Sequence, residues 1–365
     1  MADVGRLAGV SSSTVSFVVN RTGGQTISAA TRARVLDAVA ALNYRPNRTA
    51  RGLRTRQSAT IGFVTDEIAG EPFVGATILG AHEPVWADGS LLLLANTTRD
   101  QRIVREVIDE MLDRPVDAIL VAATSTRRLT LPDVLNGVPT LLVNGYTAGN
   151  RWPAVLPDDV AGGRNATDLL ITAGHRRIAY LTGPSGAWAT KARLRGFASA
   201  LDRVGLATTE QVVWAGDGRP DSGYDLTRRL LAEPDPPTAI MCGNDRMAVG
   251  AYLALGEAGV RVPDEMSVVG YDDQVDLAAG VRPTLSTIRR PDYQMGRWAA
   301  EQVIAGTVAR LPDRTYLAGP PVPRRSVTVP RTGSAARPPT VASRRRNRRP
   351  TPPADQTPNE APDVE

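Results

Sequence analysis

The chain has 365 residues, 42% of them hydrophobic and 22% charged, enough for two or three domains with buried cores. Cys242 is the only cysteine and His82 and His175 the only histidines, which excludes an internal disulfide or a cysteine-cluster metal site and makes a zinc site or histidine triad a poor fit. The net charge of +5 is uneven: residues 1–58 carry nine arginines against Asp3 and Asp37 for a balance of +7, residues 59–330 carry −5, and residues 331–365 carry +3. A compact basic end on an acidic body is the electrostatic footprint of a nucleic-acid reader.

Three short helices are predicted within residues 1–43. Val4, Leu7 and Ala8 form an apolar stripe at helical spacing. Gly9 permits a tight turn, and Ser11 can cap a second helix carrying Val15, Val18 and Val19 as far as Asn20. Thr22–Gln25 reads as a loop. Ser28 can cap a third helix whose apolar face is Val35, Val39 and Leu42, and Pro46 follows to stop it. The first two helices have helix-turn-helix spacing, which places the N-terminal residues of the second against base edges in the major groove. Residues 46–58 are polar and Arg-rich, with Ala50 and Leu53 as apolar exceptions.

Beyond residue 59 the texture changes. Strand-like apolar runs occur at Ile61–Val64, Leu91–Ala95, Ala118–Val121, Thr140–Val143, Arg177–Leu181, Val212–Ala215, Ala239–Cys242 and Ser267–Tyr271, with helical patterns between them. Continuous apolar strands alternating with helices imply parallel sheets covered on both faces, and the number of runs favours two doubly wound subdomains over one. A ligand cleft is then expected at the carboxyl ends of the strands. No apolar run approaches the about 18 residues of a membrane helix. No charged-then-apolar leader opens the chain, so a cytoplasmic protein is expected, without a membrane partner. Residues 331–365 are rich in Pro, Arg, Thr and Ala and then acidic, and read as a disordered tail.

The sequence blocks "LAGVSSSTVSFVVN", "NYRPNRTARGL" and "SATIGF" resemble, in order and spacing, the headpiece and hinge of the lactose-repressor (LacI/GalR) family. Further blocks continue the resemblance to about residue 329: "GHRRIAYLTGP", "ARLRGF", "GNDRMAVGA", "VPDEMSVVGYDD" and "PTLSTIRRP". The family implies an α/β protein with a small all-α headpiece (1–45), a hinge (46–58) and a periplasmic-binding-protein-like core (59–330). That core would divide into an N-subdomain of about 59–158 and 288–318 and a C-subdomain of about 159–287 and 319–330. It also implies a homodimer, and in some members a tetramer, that binds a near-palindromic double-stranded operator under control of a small molecule, most often a sugar.

The resemblance assigns DNA contacts to Ser12, Ser13, Thr14, Ser16, Phe17, Asn20 and Arg21 in the headpiece, and to Asn47, Arg48, Ala50, Leu53 and Arg54 in the hinge. Leu53 would wedge into the minor groove at the operator centre, where unstacking a base step costs roughly a few kcal/mol and the bend brings more contacts. Phe17 departs from the pattern: many members carry Arg there, whereas Phe makes only apolar contact, as with a thymine methyl. Effector contacts fall on Phe73, Asp158, Trp188, Arg193, Asn244, Asp245 and Asp272. Arg193 would fork onto neighbouring hydroxyls and Asp272 accept from them. Trp188 would stack on a sugar ring or pack between subdomains, and Asn244 and Asp245 would in part cap a helix. Gly218 replaces an aromatic that relatives often carry.

No phosphate-loop or nucleophile-elbow pattern is present, so neither an enzyme nor a cofactor is expected. Two other readings of the fold remain, a solute-binding module and a DNA-binding protein that ignores ligands. A fused headpiece argues against the first, and an effector response would exclude the second.

Overall fold

A computed structural model describes residues 1–20, 27–44, 58–66 and 72–331. Three helices, α1 (Ala2–Ala8), α2 (Ser12–Asn20) and α3 (Ala29–Ala41), form the headpiece. Gly9 ends α1 in the left-handed region at φ 65°, a conformation that costs a residue without Cβ little. The Ser11 hydroxyl accepts from the Thr14 amide at 3.1 Å and opens α2, and Ser28 accepts from the Thr31 amide at 3.2 Å and opens α3. Val4, Ala8, Val15, Val18, Val35 and Ala38 close on one another as a separate small core. Leu7 and Leu42 were expected in that core but are exposed, at 58% and 45%. Three helices this short cover only one face of each, and Val4 and Ala8 occupy the covered face of α1.

The body contains two parallel sheets. Six strands, β1 (Thr60–Asp66), β2 (Leu91–Thr97), β3 (Ala118–Leu129), β4 (Thr140–Thr147), β5 (Ala154–Pro157) and β11 (Arg314–Leu317), lie in the order β11-β5-β4-β3-β1-β2. Four others, β6 (Ile178–Thr182), β7 (Val212–Ala215), β8 (Ala239–Cys242) and β9 (Ser267–Val269), lie in the order β7-β6-β8-β9. Within each sheet every pairing is parallel. Two short strands, β10 (Thr287–Ile288) and β12 (Pro321–Val322), pair antiparallel beside the smaller sheet.

Helices cover both sheets: α4 (Pro72–Ala87), α5 (Gln101–Leu112) and α11 (Asp292–Ile304) the larger, α6 (Asp159–Thr172), α7 (Trp188–Asp202), α8 (Pro220–Leu231) and α9 (Asp245–Glu257) the smaller, with a single turn α10 (Val275–Ala278). The chain passes between the sheets three times, at residues 157–159, 288–292 and 317–321. Each sheet has apolar clusters on both faces, as the continuous apolar strands require.

Close helix packing rests on glycine. A Cβ on Gly196 of α7 would fall 2.1 Å from the Val160 carbonyl oxygen, and one on Gly163 of α6 would fall 2.2 Å from the Arg193 carbonyl oxygen. These paired glycines let two backbones meet and fix the main chain that bears Arg193.

Candidate functional site

In the headpiece, Ser12 and Ser13 are exposed at the N-terminus of α2, while Thr14, Ser16 and Phe17 are half-buried. Val15 and Val18, on the opposite side, are buried against α1 and α3. The hydroxyl-bearing first turn therefore faces outward, as a groove-reading helix requires. Asn20 ends α2; its side chain, and Arg21, Asn47, Arg48, Ala50, Leu53 and Arg54, lie outside the described residues.

Between the sheets the chain gathers a charged cluster. Arg193, on α7, is 8% exposed. Its Nε donates to Asp159 Oδ1 at 2.8 Å, its Nη1 to the Gly243 carbonyl at 2.8 Å, and its Nη2 stands 3.7 Å from Asp272 Oδ1. The Tyr271 ring lies beneath the guanidinium, 3.5 Å from centroid to Cζ, and its hydroxyl also donates to Asp159. Asp272 reaches this place through a strained backbone at φ 108°, held where its amide donates to the Ile288 carbonyl. From the other sheet, Arg290 donates to Asp292 at 2.8 Å and stacks over Phe73 at 4.2 Å. Thr77, Thr124 and Asn144 line a small cavity with Phe73 and Asp292.

Burial dominates the electrostatics. It pushes the Asp272 carboxyl up to about 6, although Arg193 and Arg290 pull the other way. Burial likewise raises Asp292 against the opposing pull of Arg290. Three polar atoms in the cluster are buried without a hydrogen-bond partner: Asp159 Oδ2, Asp272 Oδ1 and Arg290 Nε. Buried polar atoms are rarely left so in folded proteins, and their convergence beside an aromatic face suits a small molecule with several hydroxyls.

The sequence-derived residues divide by role. Arg193 and Asp272 stand together in the cluster, and Phe73 joins it beneath the Arg290 guanidinium. Asp158 caps α6, accepting from the Ala161 amide at 2.9 Å, while its neighbour Asp159 supplies the carboxylate that holds Arg193. Asn244 caps α9 by accepting from the Met247 amide, and donates to the Gly218 carbonyl at 2.8 Å.

Asp245 has a different setting from the one expected of an effector contact. It is wholly buried, with Oδ1 accepting from Thr287 and Oδ2 from the Gln274 amide, so it braces the loop that carries Asp272. Burial first, and the nearby Asp272 second, push its carboxyl up to about 8. Trp188 packs against Tyr146 of the larger sheet with centroids 5.0 Å apart, which is the subdomain-packing alternative. Of the Asp158–Asp159 pair singled out at the crossover it is Asp159 that enters the cluster, whereas Tyr271, Arg290 and Asp292 are not among the expected contacts. The "RRPD" run carried a signal, because an Arg two residues before an Asp at a helix start is placed to pair with it.

The comparisons with known proteins fit this geometry. Residues 1–47 match "Bacterial regulatory proteins, lacI family" and residues 167–327 match "Periplasmic binding protein-like domain". The ribose operon repressor of Escherichia coli K12 is 35% identical over 306 residues, covering 83% of this chain and 92% of that protein. The chain belongs to the LacI family. The regulator GalR of the same organism is 34% identical over 331 residues, covering 90% of this chain and 95% of its own length. The crystal structure of the Lac repressor dimer bound to operator and the anti-inducer ONPF superposes with a TM-score of 0.69 at 27% identity, covering 90% of this chain and 98% of that one.

This LacI-family chain is thus a DNA-binding transcriptional regulator, with a helix-turn-helix headpiece and a ligand-binding core. The relatives are transcriptional regulators rather than enzymes. Among the described residues, no helix is long and apolar enough to cross a membrane.

Proposed function

We propose that the protein is a dimeric repressor whose hold on a near-palindromic operator is set by a neutral sugar in the cleft between the two sheets. One observation carries the sugar reading: Asp159 Oδ2, Asp272 Oδ1 and Arg290 Nε are buried without a hydrogen-bond partner around Arg193 and Phe73. Two acceptors and a donor converging beside an aromatic ring match the alternating hydroxyls of a pyranose or furanose. Three carboxylates, Asp159, Asp272 and Asp292, against two guanidiniums leave an acidic excess, which disfavours a phosphorylated or carboxylated ligand. The name of the ribose operon repressor supports the same class.

Sugar bridging Arg193 and Asp272 on one side and Phe73 on the other changes the angle between the sheets. The three chain crossings act as the hinge. Such a change alters operator affinity only to the extent that the sugar prefers one of the two arrangements. A second copy is expected on α4 and the edge strand β2, where Leu79, Trp86, Leu91 and Leu94 are all at least 45% exposed.

The test is a thermal-shift screen of sugars, sugar phosphates and nucleosides, followed by operator selection from random duplex with and without the hit. A neutral sugar that raises the melting temperature and changes operator affinity supports the reading. Stabilisation by phosphorylated sugars or nucleosides alone, or a hit without effect on DNA binding, overturns it.

A further inference from the structure

Helix α7 has two working faces. Arg193, Gly196 and Phe197 turn inward, and Arg193 completes the cleft cluster. The outer face, together with Thr208, Thr209, Gln211 and Val213, borders an open groove of about 750 Å³. Small-molecule sites typically occupy about 300–1,000 Å³. The groove is neither part of the cleft nor used by the regulatory reading given above.

Its chemistry is lopsided. Trp188, Leu194 and Ala198 of α7 and Val213 of the edge strand β7 supply apolar surface. Lys191, the only lysine of the chain, and Arg195 stand one helical turn apart on the same groove, both exposed. Neither forms an ion pair among the described residues, and no carboxylate lines the groove. By contrast, Arg203, at the end of the same helix, is paired with Asp168. Gln211 is already engaged, its Oε1 accepting from the Ile178 amide at 2.8 Å, so beyond the Thr208 and Thr209 hydroxyls the polar recognition available to a ligand is cationic.

We propose that this groove is a second binding site, for a small amphipathic carboxylate. Its apolar body lies on Leu194, Ala198 and Val213, and its head bridges Lys191 and Arg195. Charge complementarity selects the anion: an uncharged apolar ligand leaves both cations unused, and a hydrophilic anion leaves the apolar floor uncovered. A carboxylate takes two parallel hydrogen bonds from the arginine fork and a point charge from lysine. Trp188 borders the groove and also packs on Tyr146 of the other sheet, so the occupant touches the boundary that the cleft ligand is expected to move.

The experiment is titration calorimetry on the full chain with decanoate, with naphthalene-2-carboxylate, and with the uncharged naphthalene-2-methanol, repeated on a Lys191→Gln/Arg195→Gln double variant. Both substituted side chains are exposed, and circular dichroism verifies the fold. At least one carboxylate is expected to bind, the alcohol about tenfold more weakly or not at all, and the double variant about tenfold more weakly than the parent. Preference for decanoate or for the naphthoate identifies a fatty or an aromatic acid as the ligand type. Three results would overturn the proposal: no binding of either acid, equal binding of acid and alcohol, or binding unchanged in the double variant. Binding that emerges only when residues 332–365 are removed would assign the groove to the chain's own acidic end and overturn it as well.

Discussion

The Arg193 guanidinium lies over the Tyr271 ring, its Cζ 3.5 Å from the ring centre, while its Nε meets Asp159 Oδ1 at 2.8 Å and its Nη2 stands 3.7 Å from Asp272 Oδ1. The residue that sequence resemblance assigns to the ligand is therefore also what neutralises two buried carboxylates. Removing such a partner leaves uncompensated charge, at a cost of about 3–5 kcal/mol.

Arg193→Ala is expected to abolish the effector response and to lower unfolding free energy by about 3 kcal/mol, while operator binding persists at low temperature. Arg193→Lys keeps the charge without the fork; it is expected to recover part of the stability but not the effector affinity. Urea unfolding together with an effector dose response on both variants checks this. An unaltered dose response in either would remove Arg193 from the site.

Asp272 gives the cleft a pH dependence. Its folded value is raised to about 6, chiefly by burial, and in the proposed site ligand hydroxyls would donate to its ionised form. Protonation therefore competes with ligand: affinity is full above about 7 and falls by about tenfold at pH 5, as the carboxylate fraction falls. Calorimetry with the best sugar from the screen at pH 5.0 and 7.5 measures the ratio. Asp272→Asn binds weakly at both values and flattens the profile.

Gly196→Ala places a methyl 2.1 Å from the Val160 carbonyl oxygen, where only backbone can yield. Overpacking of this kind costs about 1–3 kcal/mol. Gly256→Ala, in α9 with open space at its Cβ, is the control and is expected to be neutral or stabilising by up to about 1 kcal/mol. Equal melting temperatures for the two variants would show that α6 and α7 do not depend on this contact.

Trp86, 66% exposed and stacked on His82, lies on the face expected to meet a second copy. Trp86→Asp is expected to convert dimer to monomer in light scattering and to weaken operator binding by more than about tenfold, because two half-sites are then no longer engaged together. A dimer that survives the substitution would put the interface elsewhere.

Leu53 lies outside the described residues, and its role rests on the hinge resemblance. Leu53→Ala is expected to weaken specific operator binding by at least about tenfold and to leave non-specific binding nearly unchanged. Equal loss of both in a salt-matched titration would discard the wedge.

Periodicity and punctuation alone determined the headpiece helices, their serine caps at Ser11 and Ser28, and eight strands, because each depends on residues within one or two turns of each other. The four strands that escaped notice, β5, β10, β11 and β12, have two to four residues each; they are strands because a neighbour offers its edge. The site divides along the same line. Motif position singled out Arg193 and Asp272, but only the folded chain decided that Asp158 caps a helix while Asp159 grips the arginine, that Asp245 braces a loop, and that Arg290 comes over Phe73. Local hydrogen bonding and helical period are written in short stretches of sequence. Which buried charge meets which is set by how two sheets and three chain crossings come together in space.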